Sequence, residues 1–160
     1  MKKGNSTIFK KHSLNFIEMA LSTDKIERME NPDGYGKSIG DCGDCIEFFL
    51  TCHQNTLKKV CFCTKGCLNT NACCNTVAKL AQGKTIDKAW EIQPEQVARY
   101  LETLPQDHSH CAKLVVGVLY RALANIISKM NIENVFGWLE NINVLQPIME
   151  VKGLFPDEKR

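Results

Sequence analysis

At 160 residues, 44% hydrophobic and 24% charged, the chain is sized for one domain with its own core and is too short for two of ordinary size. Its formal net charge of +2 is spread without a basic block, which gives no footing for nucleic acid, and no run of about 20 apolar residues offers a membrane span. The basic residues 1–13 contain no Arg and lead into no sustained apolar stretch, so they read as neither signal nor transit peptide, and a cytoplasmic protein is expected.

In chain order, residues 7–30 follow a roughly helical pattern, with Phe9, Phe16, Ile17, Ala20 and Ile26 apolar among charges. Asn31-Pro32-Asp33-Gly34 stops it as a turn. Residues 37–44 read as a short extended piece ending in a Gly-rich loop. Residues 45–52 alternate, with Ile46, Phe48 and Leu50 on one face and Glu47 and Thr51 on the other. A turn at residues 53–56 returns the chain through a second strand, residues 57–64, with Val60 and Phe62 inward. A helix over residues 68–82 follows, packing Cys73, Val77 and Ala81 and stopping at Gly83. Pro94 opens a short helix to about Leu104. A long amphipathic helix starts near Asp107, taken as its N-cap, and Phe136, Trp138 and Leu139 suggest a further short helix. The order reads as α+β: a small antiparallel three-stranded sheet with helices packed on one face. The expected organisation is an N-terminal helical segment (1–30), a core (31–126) and a C-terminal extension packing on the same domain (127–160).

The informative count is nine Cys, six of them in residues 52–74. In a chain read as cytoplasmic, clustered thiols point to metal or sulfur chemistry before disulfides. Three stand at the ends of elements. Cys42 lies in the loop Gly40-Asp41-Cys42-Gly43-Asp44, Cys67 between the second strand and a helix, and Cys111 after His110 in the first turn of the long helix. Cys67 and Cys111 sit at helix N-termini, where free N–H groups favour a thiolate. Flanking Gly leaves the backbone close to any cluster. Asp44 and His110 add an oxygen and a nitrogen donor. Three thiolates with one weaker donor suit a cluster that must leave, whereas a lasting electron-transfer cluster usually has four thiolates. The same set would hold Zn²⁺.

The ordered set Cys42-Gly43-Asp44, Thr64-Lys65-Gly66-Cys67, and Leu104-Pro105 followed by His110-Cys111 resembles the three-part signature of NifU/IscU iron–sulfur cluster scaffolds. Asn31-Pro32 resembles that family's Asn-Pro turn, and residues 78–89 its helix end and Gly-Lys segment. The likeness runs from about Asn31 to Ile126. It implies a SufE/NifU-like fold and a scaffold or carrier, not an enzyme, that assembles and transfers iron–sulfur clusters. The implied site is Cys42, Asp44, Cys67 and Cys111, with His110 as a further metal ligand, holding a transient [2Fe–2S] or [4Fe–4S] cluster or, when cluster-free, zinc. A cysteine desulfurase would deliver persulfide, with Cys111 the expected acceptor, and apo iron–sulfur proteins would receive the cluster. A homodimer is compatible with this. Leu104-Pro105-Gln106-Asp107-His108 departs from the family's Leu-Pro-Pro-Val-Lys segment, which counts against handling by an Hsp70-type chaperone. His108 takes the lysine's place and would add a ligand, although by position it reads as solvent-exposed, like His53.

Cys45, Cys52, Cys61, Cys63, Cys73 and Cys74 are additional to the signature. Cys73 reads as helix core, Cys74 as nearer the face of Cys67, Cys61 and Cys63 as a same-face strand pair, and Cys45 and Cys52 as structural or incidental. Two competing functions remain: a structural zinc module clamped by Cys42, Cys67 and Cys111, and a thiol enzyme pairing Cys111 with His110. Single, widely spaced ligands count against the first. The rarity with which adjacent helical residues face each other counts against the second.

Overall fold

The computed structural model describes residues 9–41 and 43–142, with side chains placed through Asn134. Helix α1 occupies Leu14–Leu21, capped by the Ser13 hydroxyl, which accepts from the Phe16 amide at 3.1 Å and donates to the Leu101 carbonyl at 2.7 Å. The expected helix through residue 30 ends early. At Ser22-Thr23-Asp24 the Ser22 hydroxyl turns to the Asp24 carboxylate, a local bond that competes with helix continuation. Beyond it the chain runs extended beside the sheet, Ile26 forming a parallel bridge to Phe62.

Strands β1 (Gly34–Ile39), β2 (Cys45–His53) and β3 (Thr56–Lys65) form one antiparallel sheet in the order β1-β2-β3. The β2–β3 hairpin turns on Gln54 (φ 50) and Asn55 (φ 63), two left-handed residues whose twist suits a two-residue hairpin. Its register sets Phe48 opposite Phe62 and Leu50 opposite Val60, and all four are fully buried, as their alternation predicts. Glu47, expected to face outward, is buried instead. It accepts from the Tyr35 hydroxyl at 2.6 Å and pairs with Arg28.

Helix α2 (Leu68–Ala81) is the centre of the fold, packed on β3 and on α1, with every residue from Ala72 to Ala78 buried. Mostly small side chains allow burial on all sides. Asn75 is tolerated because its amide donates to the Met19 and Ser22 carbonyls at the end of α1. Gly83 (φ +86) ends this helix as expected. A short helix the sequence did not announce, α3 (Ile86–Ala89), follows its Thr85 cap. Helix α4 (Pro94–Leu101) stops before Leu104, where Glu102 turns left-handed (φ 61).

Asp107 is not a helix N-cap. It lies inside a 3-10 turn, Gln106–His108, and α5 (Ser109–Ile142) begins behind it. The backbone of α5 runs unbroken through Ile142, so no separate short helix forms at 136–139; the side chains of Phe136, Trp138 and Leu139 lie outside the described ones. Residues 106–134 are long and apolar enough to cross a membrane by length and composition. Val115, Val118, Leu119, Ala122 and Ile126 of this stretch are nevertheless buried, as in the core helix of a folded domain. The chain forms two compact units, divided between Ile126 and Ile127. The architecture is α+β with a three-stranded antiparallel sheet, as the sequence predicts.

Candidate functional site

The loop before β2, the N-terminus of α2 and the start of α5 bring their polar side chains to one place. The loop is closed by backbone bonds from Gly40 N–H to the Asp44 carbonyl (2.8 Å) and from Gly43 N–H to the Gly40 carbonyl (2.9 Å). Gly43 turns at φ +89, a conformation that favours glycine, and this lets Asp44 face α2. Cys67 caps α2 in an extended conformation, and Cys111 is the third residue of α5.

One ligand atom from each of Cys67, His108 and Cys111 lies within 4.8 Å of the other two. Tetrahedral zinc with bonds of about 2.1–2.3 Å needs donors roughly 3.4–3.8 Å apart, so about 1 Å of side-chain adjustment closes the group on one ion. Around Cys111 Sγ, His110 Nε2 stands at 3.6 Å and His108 Nδ1 at 3.9 Å, and the two imidazoles stack. Thr70 Oγ1 lies 2.5 Å from Asp44 Oδ2, 3.6 Å from Cys67 Sγ and 3.8 Å from Cys111 Sγ. Beside this cluster a surface pocket of about 490 Å³ is lined by Ile39, Gly40, Asp41, His110 and Leu114.

Burial pushes the Cys67 thiol up, but bonds from the Thr70 hydroxyl and from the Thr70 and Asn69 amides outweigh it and hold the thiol below its ordinary value. This is the thiolate-favouring helix start that the sequence suggested. Two expectations are corrected. His108 is partly buried and belongs to the cluster, because the 3-10 turn swings it back toward Cys111. His110 does reach the sulfur of its neighbour, which helical spacing argued against; both residues sit in the first turn of α5, before its packed body. Cys111 is 1% exposed and Cys67 is exposed. Cys42 lies outside the described residues. Thr70 went unremarked in the sequence, although its place three residues after Cys67 on a helix was a usable signal.

Residues 23–133 match the family described as the NifU-like N terminal domain. The chain belongs to this family. An iron-sulfur cluster assembly scaffold protein IscU of Archaeoglobus fulgidus is 31% identical over 106 residues, 65% of this chain and 69% of that protein. The iron-sulfur cluster assembly scaffold protein IscU of Escherichia coli is 28% identical over 125 residues, 69% of this chain and 97% of that protein. The crystal structure of a NifU-like protein (N-terminal) from Brucella abortus superposes with a TM-score of 0.62 at 15% identity, covering 73% of this chain and 94% of that one. A putative SUF-system scaffold from Fervidobacterium islandicum gives 0.60 at 17%, covering 71% and 97%. At such identities the two structures show the fold alone.

The other described thiols of this NifU-like chain divide by depth. Cys73 and Cys74 are fully buried in α2, and burial pushes both thiols well up. Cys61 is buried and also raised by burial, its thiol 3.7 Å from Glu27. Cys45 and Cys63 line a second surface pocket with Arg28, Lys37, Glu47 and Lys65. Cys52 is partly exposed at the end of β2.

Proposed function

We propose that this chain is a scaffold on which an iron–sulfur cluster is assembled and from which it is passed on, a carrier and not a turnover enzyme. The observation that carries this is the convergence of Cys67, His108 and Cys111 within 4.8 Å of one another. Its relatives in Archaeoglobus fulgidus and Escherichia coli, both named as iron-sulfur cluster assembly scaffold proteins, support it. The proposed ligands are Cys42, Asp44, Cys67 and Cys111, with His108 or His110 as an alternative to the carboxylate. One oxygen or nitrogen donor among thiolates weakens the hold on the cluster, which suits cargo that must leave. Both [2Fe–2S] and [4Fe–4S] forms are compatible with these donors, and Zn²⁺ takes them in the cluster-free protein.

Sulfur would come from the persulfide of a cysteine desulfurase. The Cys111 thiolate attacks the outer sulfur, a new S–S bond forms on Cys111, the donor's S–S bond breaks, and the donor cysteine leaves as thiolate. His108 and His110, beside the sulfur, are placed to take the thiol proton. The exposure of Cys67 favours it as the alternative acceptor. Loss of persulfide in Cys111→Ser but not in Cys67→Ser or Cys42→Ser supports the first assignment, and loss in Cys67→Ser alone supports the second. Apo iron–sulfur proteins are the proposed recipients, in the cytoplasm, with no role for nucleic acid or membrane.

The test is anaerobic reconstitution with ferrous iron, cysteine and a desulfurase. Visible charge-transfer bands that then pass to an apo-ferredoxin are the expected result. A colourless protein holding one tight Zn²⁺ would mean a structural zinc module instead.

A further inference from the structure

Among the described residues, Thr70 is the one side chain hydrogen-bonded to donors from all three elements of the site. It is fully buried, and its single hydroxyl touches Asp44 of the loop, Cys67 of the α2 cap and Cys111 of α5. We propose that Thr70 is a positioning residue of the metal-binding pocket: it binds no cargo itself and sets the spacing of three groups that do. This rests on the scaffold reading above and deepens it, since it names what holds the donors in register before any ion arrives.

The chemistry suits the part. A hydroxyl carries one proton, which it can give to the Asp44 carboxylate or to either sulfur, and its lone pairs can accept from a thiol that still holds its proton. A carbonyl, which only accepts, could not donate to the carboxylate, and an ammonium, which only donates, could not accept from a protonated thiol. Threonine adds stiffness, because branching at Cβ restricts χ1 and fixes where the hydroxyl points. The wall behind it is built to match. A Cβ added to Gly66 would stand 2.8 Å from Thr70 Cβ, 2.9 Å from its methyl and 3.0 Å from its hydroxyl. Gly66 therefore leaves the space that the Thr70 side chain fills. The residue before the cysteine and the residue three after it form one fitted pair.

Groups that hydrogen-bond metal ligands from behind commonly account for about 10–100-fold in metal affinity. The test uses the full chain, freed of metal and titrated with Co²⁺, which reports thiolate ligation through its near-ultraviolet charge-transfer band. Thr70→Ser keeps the hydroxyl and is expected to bind within about 3-fold of the wild type. Thr70→Val keeps the shape and loses the hydroxyl. It is expected to bind about 10–100-fold more weakly, with a weaker band per bound ion, while its melting temperature in EDTA stays close to that of wild type. Should Thr70→Val prove unfolded, Thr70→Ala carries the same expectation. Wild-type affinity and an unchanged band in Thr70→Val or Thr70→Ala would overturn the role of Thr70 alone. A wild-type protein that takes up no Co²⁺ would overturn the metal-site reading, and this inference with it.

Discussion

Cys67 is exposed, and hydrogen bonds at the start of α2 hold its thiol below the ordinary value. Its thiolate therefore forms at lower pH than that of an ordinary thiol, whose pKa is about 8.5. With iodoacetamide, mass spectrometry should find Cys67 modified early, on a pH profile centred lower than that of the same cysteine in the unfolded chain. Cys73 and Cys74, buried and raised, should stay unmodified until the protein unfolds. A Cys67 profile centred no lower than that of the same cysteine in the unfolded chain would contradict the hydrogen-bonded thiolate. At this scale Asp44, Cys67 and Cys111 were legible because each stands at the end of an element beside a recognisable neighbour. Thr70 was not, since a threonine inside a helix carries no mark until its three partners are seen around it. His108 was half legible: the family resemblance offered it as a ligand, while by position it read as solvent-exposed.

Among the elements, β1 shows how closely the sheet and α5 fit. A Cβ on Gly36 would lie 2.5 Å from the Val118 carbonyl oxygen and 2.7 Å from the Ala122 amide nitrogen, both backbone atoms. Neither can move alone, so Gly36→Ala should cost about 1–3 kcal/mol, read as a lower urea midpoint at unchanged slope. An unchanged midpoint would mean that β1 separates from α5 without penalty. The hairpin and α2 were readable from alternation and from Gly83. The early end of α1 was not, because Ser22-Thr23-Asp24 breaks the helix through side-chain bonding while Ile26 keeps the apolar spacing going. Glu47 was misplaced for a related reason: alternation put it outward, and the Tyr35 hydroxyl and Arg28 make its burial tolerable. The same contact pushes the Tyr35 phenol up to about 12.

Across the whole molecule, the donors differ in how firmly they are rooted. Cys67 caps a helix whose residues from Ala72 to Ala78 are all buried, and Cys111 precedes turns of α5 whose Val115 and Val116 are core. Asp44 hangs from a loop closed by two backbone bonds and steadied by one threonine hydroxyl. On the proposed reading, a guest seated here would be held by two thiolates rooted in helices and one carboxylate carried on a loop, and its unloading would start on the loop's side. Native-state hydrogen exchange should find the amides of Gly40 and Gly43 opening at lower free energy than those of Val115 and Val116. The opposite ranking would put the hinge in α5, and departure would then require the core itself to loosen.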